Sequence, residues 1–139
     1  MGGARSHLCV HQYRECGATP DGCQPGRWSV STKALVHEFG MGVDVHGLDS
    51  TKAACRAVSD AIRHSSLPLL QEVRERGGKM LVDVIVGVPD PAAVDVEQVK
   101  RELPSGEVTV CPVVGGLRIP GVDTLIACAV VTVIAEYPS

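Results

Sequence analysis

Gly40-Met41-Gly42-Val43-Asp44-Val45-His46-Gly47 packs three glycines, an aspartate and a histidine into eight residues. The run before it, Thr32–Phe39, reads Thr-Lys-Ala-Leu-Val-His-Glu-Phe and is long enough for one strand. Strand alternation sets Ala34, Val36 and Glu38 on one face and Leu35, His37 and Phe39 on the other. After it, Asp49-Ser50-Thr51 offers short side-chain oxygens that can accept the free N–H groups of a first helical turn. Ala54, Val58, Ala61 and Ile62 then fall on one helical stripe, with Cys55 beside them, to about His64 or Ser65. Gly40–Leu48 is read as a glycine loop between strand and helix.

The rest of the chain follows from this unit. Leu67-Pro68 ends the first helix, and Leu69–Arg76 makes a short second one closed by Gly77-Gly78. Lys79–Val88 is nearly all apolar and β-branched, the pattern of an interior strand, with Asp83 facing outward. Asp95–Leu103 is a short helix, and Glu107–Val114 a strand whose Pro112 marks an edge or a bulge. Gly115–Gly121 is a connection, and Thr124–Ala135 a long buried strand. The order is β-α-α-β-α-β-β. The expected fold class is α+β, a two-layer sandwich of a four-stranded mixed sheet with helices on one face. Residues 29–139 form that single domain, and residues 1–28, broken by Pro20, Gly22, Pro25 and Gly26, an irregular N-terminal extension.

Composition narrows the function classes. The chain has 139 residues, 45% apolar but only 3% aromatic, so the core is aliphatic and a base-stacking surface is not expected. A net charge of −3 argues against nucleic acid or an anionic membrane as partner. No apolar run reaches the ~18 residues of a membrane span, and a soluble cytoplasmic protein is the default expectation. Cys9, Cys16 and Cys23 lie in the extension with His7 and His11, at spacings that match no zinc finger. Cys55, Cys111 and Cys128 read as small core residues of a reducing compartment. One layer of helices leaves one apolar sheet face bare, so a homo-oligomer is expected, with a trimer or a dimer of trimers as the first form to consider.

The glycine stretch carries the candidate chemistry. It is neither Gly-x-Gly-x-x-Gly nor Gly-x4-Gly-Lys-Ser/Thr, so dinucleotide and P-loop assignments are rejected. Asp44 and His46 stand two residues apart and can orient an imidazole base or clasp a divalent metal, zinc or magnesium. The plainer alternative is an aspartate that caps the loop and a histidine bonded to carbonyls. Gly42, Gly47 and Lys52 are candidate substrate contacts, with Lys52 in the first turn where it can meet an anion. Glu38 is a candidate for pointing into the same site, or else an exposed edge-strand residue. Lys52, Arg56, Ser59 and Arg63 also read as a solvated polar stripe.

The motif from Gly40 to Gly47 resembles the Gly-x-Gly-x-Asp-x-His-Gly signature of the Lin-zero-five-twelve family of conserved hypothetical proteins, and the likeness runs through Asp49–Ala54 and Asp60–His64. That resemblance implies no particular activity. Gly40–His46 is also similar to the opening of methylerythritol cyclodiphosphate synthases, which implies zinc on Asp44 and His46; His64 is the nearest third ligand in sequence, and the reaction is not transferred. The leading expectation is an enzyme acting on a small anionic or carbonyl-bearing metabolite, as a lyase, cyclase, isomerase or hydrolase. Its site would be completed at a subunit interface, with His46 as acid/base and Asp44 orienting it. The alternative is a non-catalytic ligand-binding or assembly module.

Overall fold

The computed structural model describes residues 32–63, 67–104 and 106–138. The expectations for the N-terminal extension and for His64 therefore lie outside the described residues.

Strand β1 (Thr32–Asp44) leads through a short loop into helix α1 (Ser50–Ile62), followed by α2 (Leu67–Glu75) and β2 (Lys79–Val88). A 3-10 turn (Pro91–Ala93) and α3 (Val96–Lys100) lead to β3 (Glu107–Val114), β4 (Leu117–Arg118) and β5 (Leu125–Glu136). The sheet has five strands rather than four, in the order β1-β5-β2-β3, with β4 paired to β5. β2 and β3 are parallel, while β5 runs antiparallel to both β1 and β2. The α+β reading and the mixed sheet hold. The two residues of β4 fall in the stretch expected to be a connection, since so short a strand carries no alternation to detect. Pro112 sits on β3, which is an edge strand as its missing N–H requires.

The largest departure is at the glycines. β1 does not stop at Phe39 but continues through Gly40 and Gly42 to Asp44, paired with Ala129, Ala127 and Leu125 of β5. Gly40 and Gly42 are therefore strand residues on the face that meets α1, not members of a loop. A Cβ on Gly40 would lie 2.1 Å from the Ala57 carbonyl oxygen, and one on Gly42 2.1 Å from that of Ala53 and 2.4 Å from the Ala57 nitrogen. Ala53, Ala57 and Ala61, spaced by four along α1, are fully buried against them. Glycine in a strand here marks a close backbone approach. The helix rests on β1 almost backbone to backbone.

The rest of the core follows the alternation of β2 and β5. Val82, Val84, Val86 and Val88 join Leu125, Ala127, Ala129 and Val131 beneath the helices, all at most 3% exposed. Burying such valines stabilises by roughly 1.5–3 kcal/mol each. Helix α1 also secures the outer edge of β1. Asp60 Oδ2 accepts the Met41 N–H at 3.0 Å, and Arg56 Nη1 donates to the Val43 carbonyl. Two outward backbone groups of this edge strand, on alternate residues, are thus satisfied by side chains one helical turn apart.

The residues on the other sheet face, among them Phe39, Met41 and Cys128, point away from the helices. Phe39 is 68% exposed and Met41 58%. Asp83 lies on this face, as expected from its place in β2, and is half-buried. Of the three cysteines read as reduced, Cys55 and Cys128 are free thiols; Cys128 is exposed rather than buried, and Cys111 is disulfide-bonded. Among the described residues no helix is long and apolar enough to cross a membrane.

Candidate functional site at the carboxyl end of the sheet

β1, β2 and β3 all point the same way, so their carboxyl ends share one edge of the sheet. Crevices outside such ends are where open sheets with helical crossovers hold ligands. Here the edge collects the 44–49 loop, the start of α1, the turn after β2 and the hairpin between β4 and β5. The hairpin is tied in by Thr124, whose hydroxyl donates to the Val45 carbonyl at 3.0 Å. Residues 118–123 of that hairpin line a concave surface.

Asp44 organises this edge. It is 1% exposed, at the end of β1. Its Oδ2 accepts the Asp49 N–H at 2.9 Å. Its Oδ1 faces Lys52 Nζ at 3.4 Å and Arg56 Nη1 at 3.7 Å, and those two side chains are about half exposed (51% and 48%). The Asp49 N–H does most to hold the Asp44 carboxyl below its ordinary pKa; Lys52 and Arg56 add to this, against the opposing effect of burial. Asp49 in turn caps α1, its Oδ1 accepting the Lys52 N–H at 3.0 Å. Asp44 thus fastens the loop to the helix start.

The loop that Asp44 fastens is sharply bent. Gly47 has φ of +110° and Leu48 of +54°. The left-handed region is unfavourable for a leucine, by about 1–2 kcal/mol. Leu48 is held there by packing against the core. Among the three motif glycines only Gly47 needs positive φ. His46 beside it is exposed, and among the described residues it makes no hydrogen bond or ion pair.

Thr51 adds a second brace. Its hydroxyl donates to the Ala93 carbonyl at 3.2 Å and accepts the Asp95 N–H at 2.9 Å, joining the first turn of α1 to the 3-10 turn and to the cap of α3. Asp95 caps α3 by accepting the N–H groups of Glu97 and Gln98.

The six residues singled out from sequence do not all meet. Asp44, His46, Gly47 and Lys52 share the edge. Gly42 is buried against Ala53 and offers no surface to a ligand. Glu38, six residues back along β1, stands about 20 Å from Asp44 at ~3.3 Å per residue, away from the loop. Sequence reasoning missed Arg56, Asp60 and Thr51 as contributors. Arg56 was legible only as part of a polar stripe on the helix, because the strand edge that it and Asp60 serve is formed in space.

The arrangement does not suit a divalent cation. Both Asp44 oxygens are engaged, two cations already stand beside the carboxylate, and no cluster of three His, Cys, Asp or Glu occurs among the described residues. Cys55 is no nucleophile by this geometry. It is buried, and burial, then the Glu102 charge, pushes its thiol up from the ordinary value.

The family described as "Conserved hypothetical protein (Lin0512_fam)" matches residues 34–133, a span from near the start of β1 through most of β5. The chain belongs to this family. Among solved structures, it is similar to one described as a "ftsz-like protein of unknown function" from Nostoc punctiforme, with 40% identity and a TM-score of 0.67, covering 78% of this chain and 99% of that one. No curated protein matches.

Proposed function

We propose that the carboxyl edge of the sheet binds a small anionic or carbonyl-bearing metabolite and acts on it by acid/base chemistry. One observation carries this reading. Lys52 and Arg56 converge on a single buried carboxylate while both stay about half exposed. Lys52 and Arg56 offset the carboxylates of Asp44 and of the cap residue Asp49, yet both cationic groups still reach solvent, at the start of a helix whose dipole is positive there. Lys52 and Arg56 would hold the anion, Asp44 would position both, and His46 would move the proton. The bent backbone at Gly47 and Leu48 adds support, because strained residues concentrate at ligand sites.

Binding of inorganic phosphate, pyrophosphate and citrate to the full chain, followed by calorimetry at low ionic strength, tests the reading. Wild type should bind at least one of them, and Lys52→Met and Arg56→Met should each weaken binding at least about tenfold, with the fold retained. Equal affinity in wild type and both variants would sink the proposal. His46→Ala should leave affinity nearly unchanged, since its role is in the chemical step.

A second reading, an assembly module, is favoured by the sheet face opposite the helices, where Phe39 and Met41 are more than half exposed. The two readings are compatible in one homo-oligomer.

A further inference from the structure

The sheet face opposite the helices is not uniformly apolar. One row of cross-strand neighbours runs through its middle: His37 of β1, Thr132 of β5, Asp83 of β2 and Thr109 of β3. The next row toward the carboxyl edge is Phe39, Val130, Ile85 and Cys111, and the one after is Met41, Cys128, Gly87 and Val113. The polar row therefore borders apolar surface that is strongly exposed at Phe39 and Met41, while Cys111 on the β3 side is buried and disulfide-bonded.

Within that row the groups are incompletely matched. His37 Nδ1 and Thr132 Oγ1 share a hydrogen bond 2.9 Å long, and the other ring nitrogen of this exposed side chain has no partner among the described residues. Asp83 has no hydrogen bond or ion pair among the described residues. It is half-buried, and desolvation raises its pKa. A carboxylate so placed gains from a donor arriving above the sheet.

The spacing indicates which donor. β5 lies between β1 and β2, so His37 and Asp83 flank Thr132 at nearly equal distances of about 4.8 Å per strand step. Turn a second copy about a two-fold axis that runs along β5, between two sheets packed about 10 Å apart. β1 then lies over β2 of the other copy, Thr132 lies over its own equivalent, and His37 faces Asp83 twice. A two-fold axis across the strands instead sets His37 over His37 and Asp83 over Asp83, with like groups opposed. The row is self-complementary for one axis only, as an isologous contact requires.

We propose that this sheet face, through β1, β5 and β2, is the contact between two copies of this chain, related by a two-fold axis along β5, with His37 of each donating to Asp83 of the other. Phe39, Met41 and Val130 form the apolar part of that contact, and the polar row sets its register. This deepens the oligomeric part of the proposed function and does not depend on the anion site.

Sedimentation velocity of the full chain over a range of concentrations, with the fold checked by circular dichroism, tests the proposal. Wild type is expected to dimerise. His37→Glu opposes two carboxylates, and Asp83→Lys replaces the acceptor by an ammonium set against the His37 donor, so each variant alone should self-associate at least about tenfold more weakly. Mixed in equal amounts, the two variants should recover a heterodimer. In that pairing the introduced carboxylate of one chain faces the introduced ammonium of the other, and the native His37 faces the native Asp83. A monomeric wild type, single variants that dimerise as tightly as wild type, or a mixture that stays monomeric would each overturn the proposal. Phosphate binding measured on the same variants keeps the two readings apart: loss of dimer with anion binding intact touches only the interface.

Discussion

Gly42→Ala is the most direct probe of the close approach between β1 and α1. The added methyl would sit 2.1 Å from the Ala53 oxygen and 2.4 Å from the Ala57 nitrogen, both backbone atoms of one helix. Ordinary contact is about 3.5 Å, so a shift of about 1.4 Å is needed, and no side-chain rotation can supply it. The helix must move, and Ala53, Ala57, Val58 and Ala61 move with it, out of a packed core. Overpacking typically costs about 1–3 kcal/mol, and two backbone clashes place this change at or above the upper end. For a chain of this size, about 3 kcal/mol lowers Tm by roughly 10 °C. Differential scanning calorimetry with and without phosphate reads the effect. A fall of less than about 2 °C, under about 1 kcal/mol, would refute the reasoning. Loss of phosphate binding with Tm unchanged would do so more pointedly, since it would return Gly42 to the ligand.

Two further outcomes concern the braces at the carboxyl edge. The Asp44 carboxyl titrates below its unfolded value, so its charged form stabilises the fold above that value and the contribution is lost as pH falls through the folded one. Asp44→Asn should therefore cost about 1–3 kcal/mol at neutral pH and flatten the acid limb of the stability–pH curve; an unchanged acid limb would exclude the Asp49, Lys52 and Arg56 contacts as its source. Thr51→Val removes the hydroxyl shared by Ala93 and Asp95. A loss of about 1–2 kcal/mol and faster hydrogen exchange at the Asp95 amide are expected, and an unaltered amide would show that the 3-10 turn does not depend on α1.

Much of the framework is legible in the sequence because it is local. Asp49 ahead of an alanine-rich helical stripe marks α1, and the β-branched runs mark β2 and β5. That the described helices lie on one side of the sheet is legible too, as apolar strands with too few helices to cover both sides. The main misreading turns on one ambiguity. Glycine reads as a loop residue unless the partner that approaches it is known, and the partner here is the backbone of a helix that begins eight residues after Gly42. Once β1 runs on to Asp44, the motif separates into two functions: Gly40, Gly42 and Asp44 fall on the helix-facing side by strand alternation, while His46 and Gly47 lie past its end. The same placement moves Glu38 out of reach of the loop. The pairing of Arg56 and Asp60 with the β1 edge is non-local and leaves no trace in sequence spacing.

The position of β5 has a consequence for how the chain assembles. It is the final strand in sequence order, yet it supplies the middle of the sheet, and β1 and β2 pair only through it. A nascent chain that has extruded β1, α1 and β2 holds both halves of the sheet with their inner edges open. Such edges are templates for pairing with other chains. The Asp60 and Arg56 side chains guard only the outer side of β1. The interval before residues 125–136 dock is thus when this protein is most exposed to misassembly, and anything that delays that strand lengthens the interval.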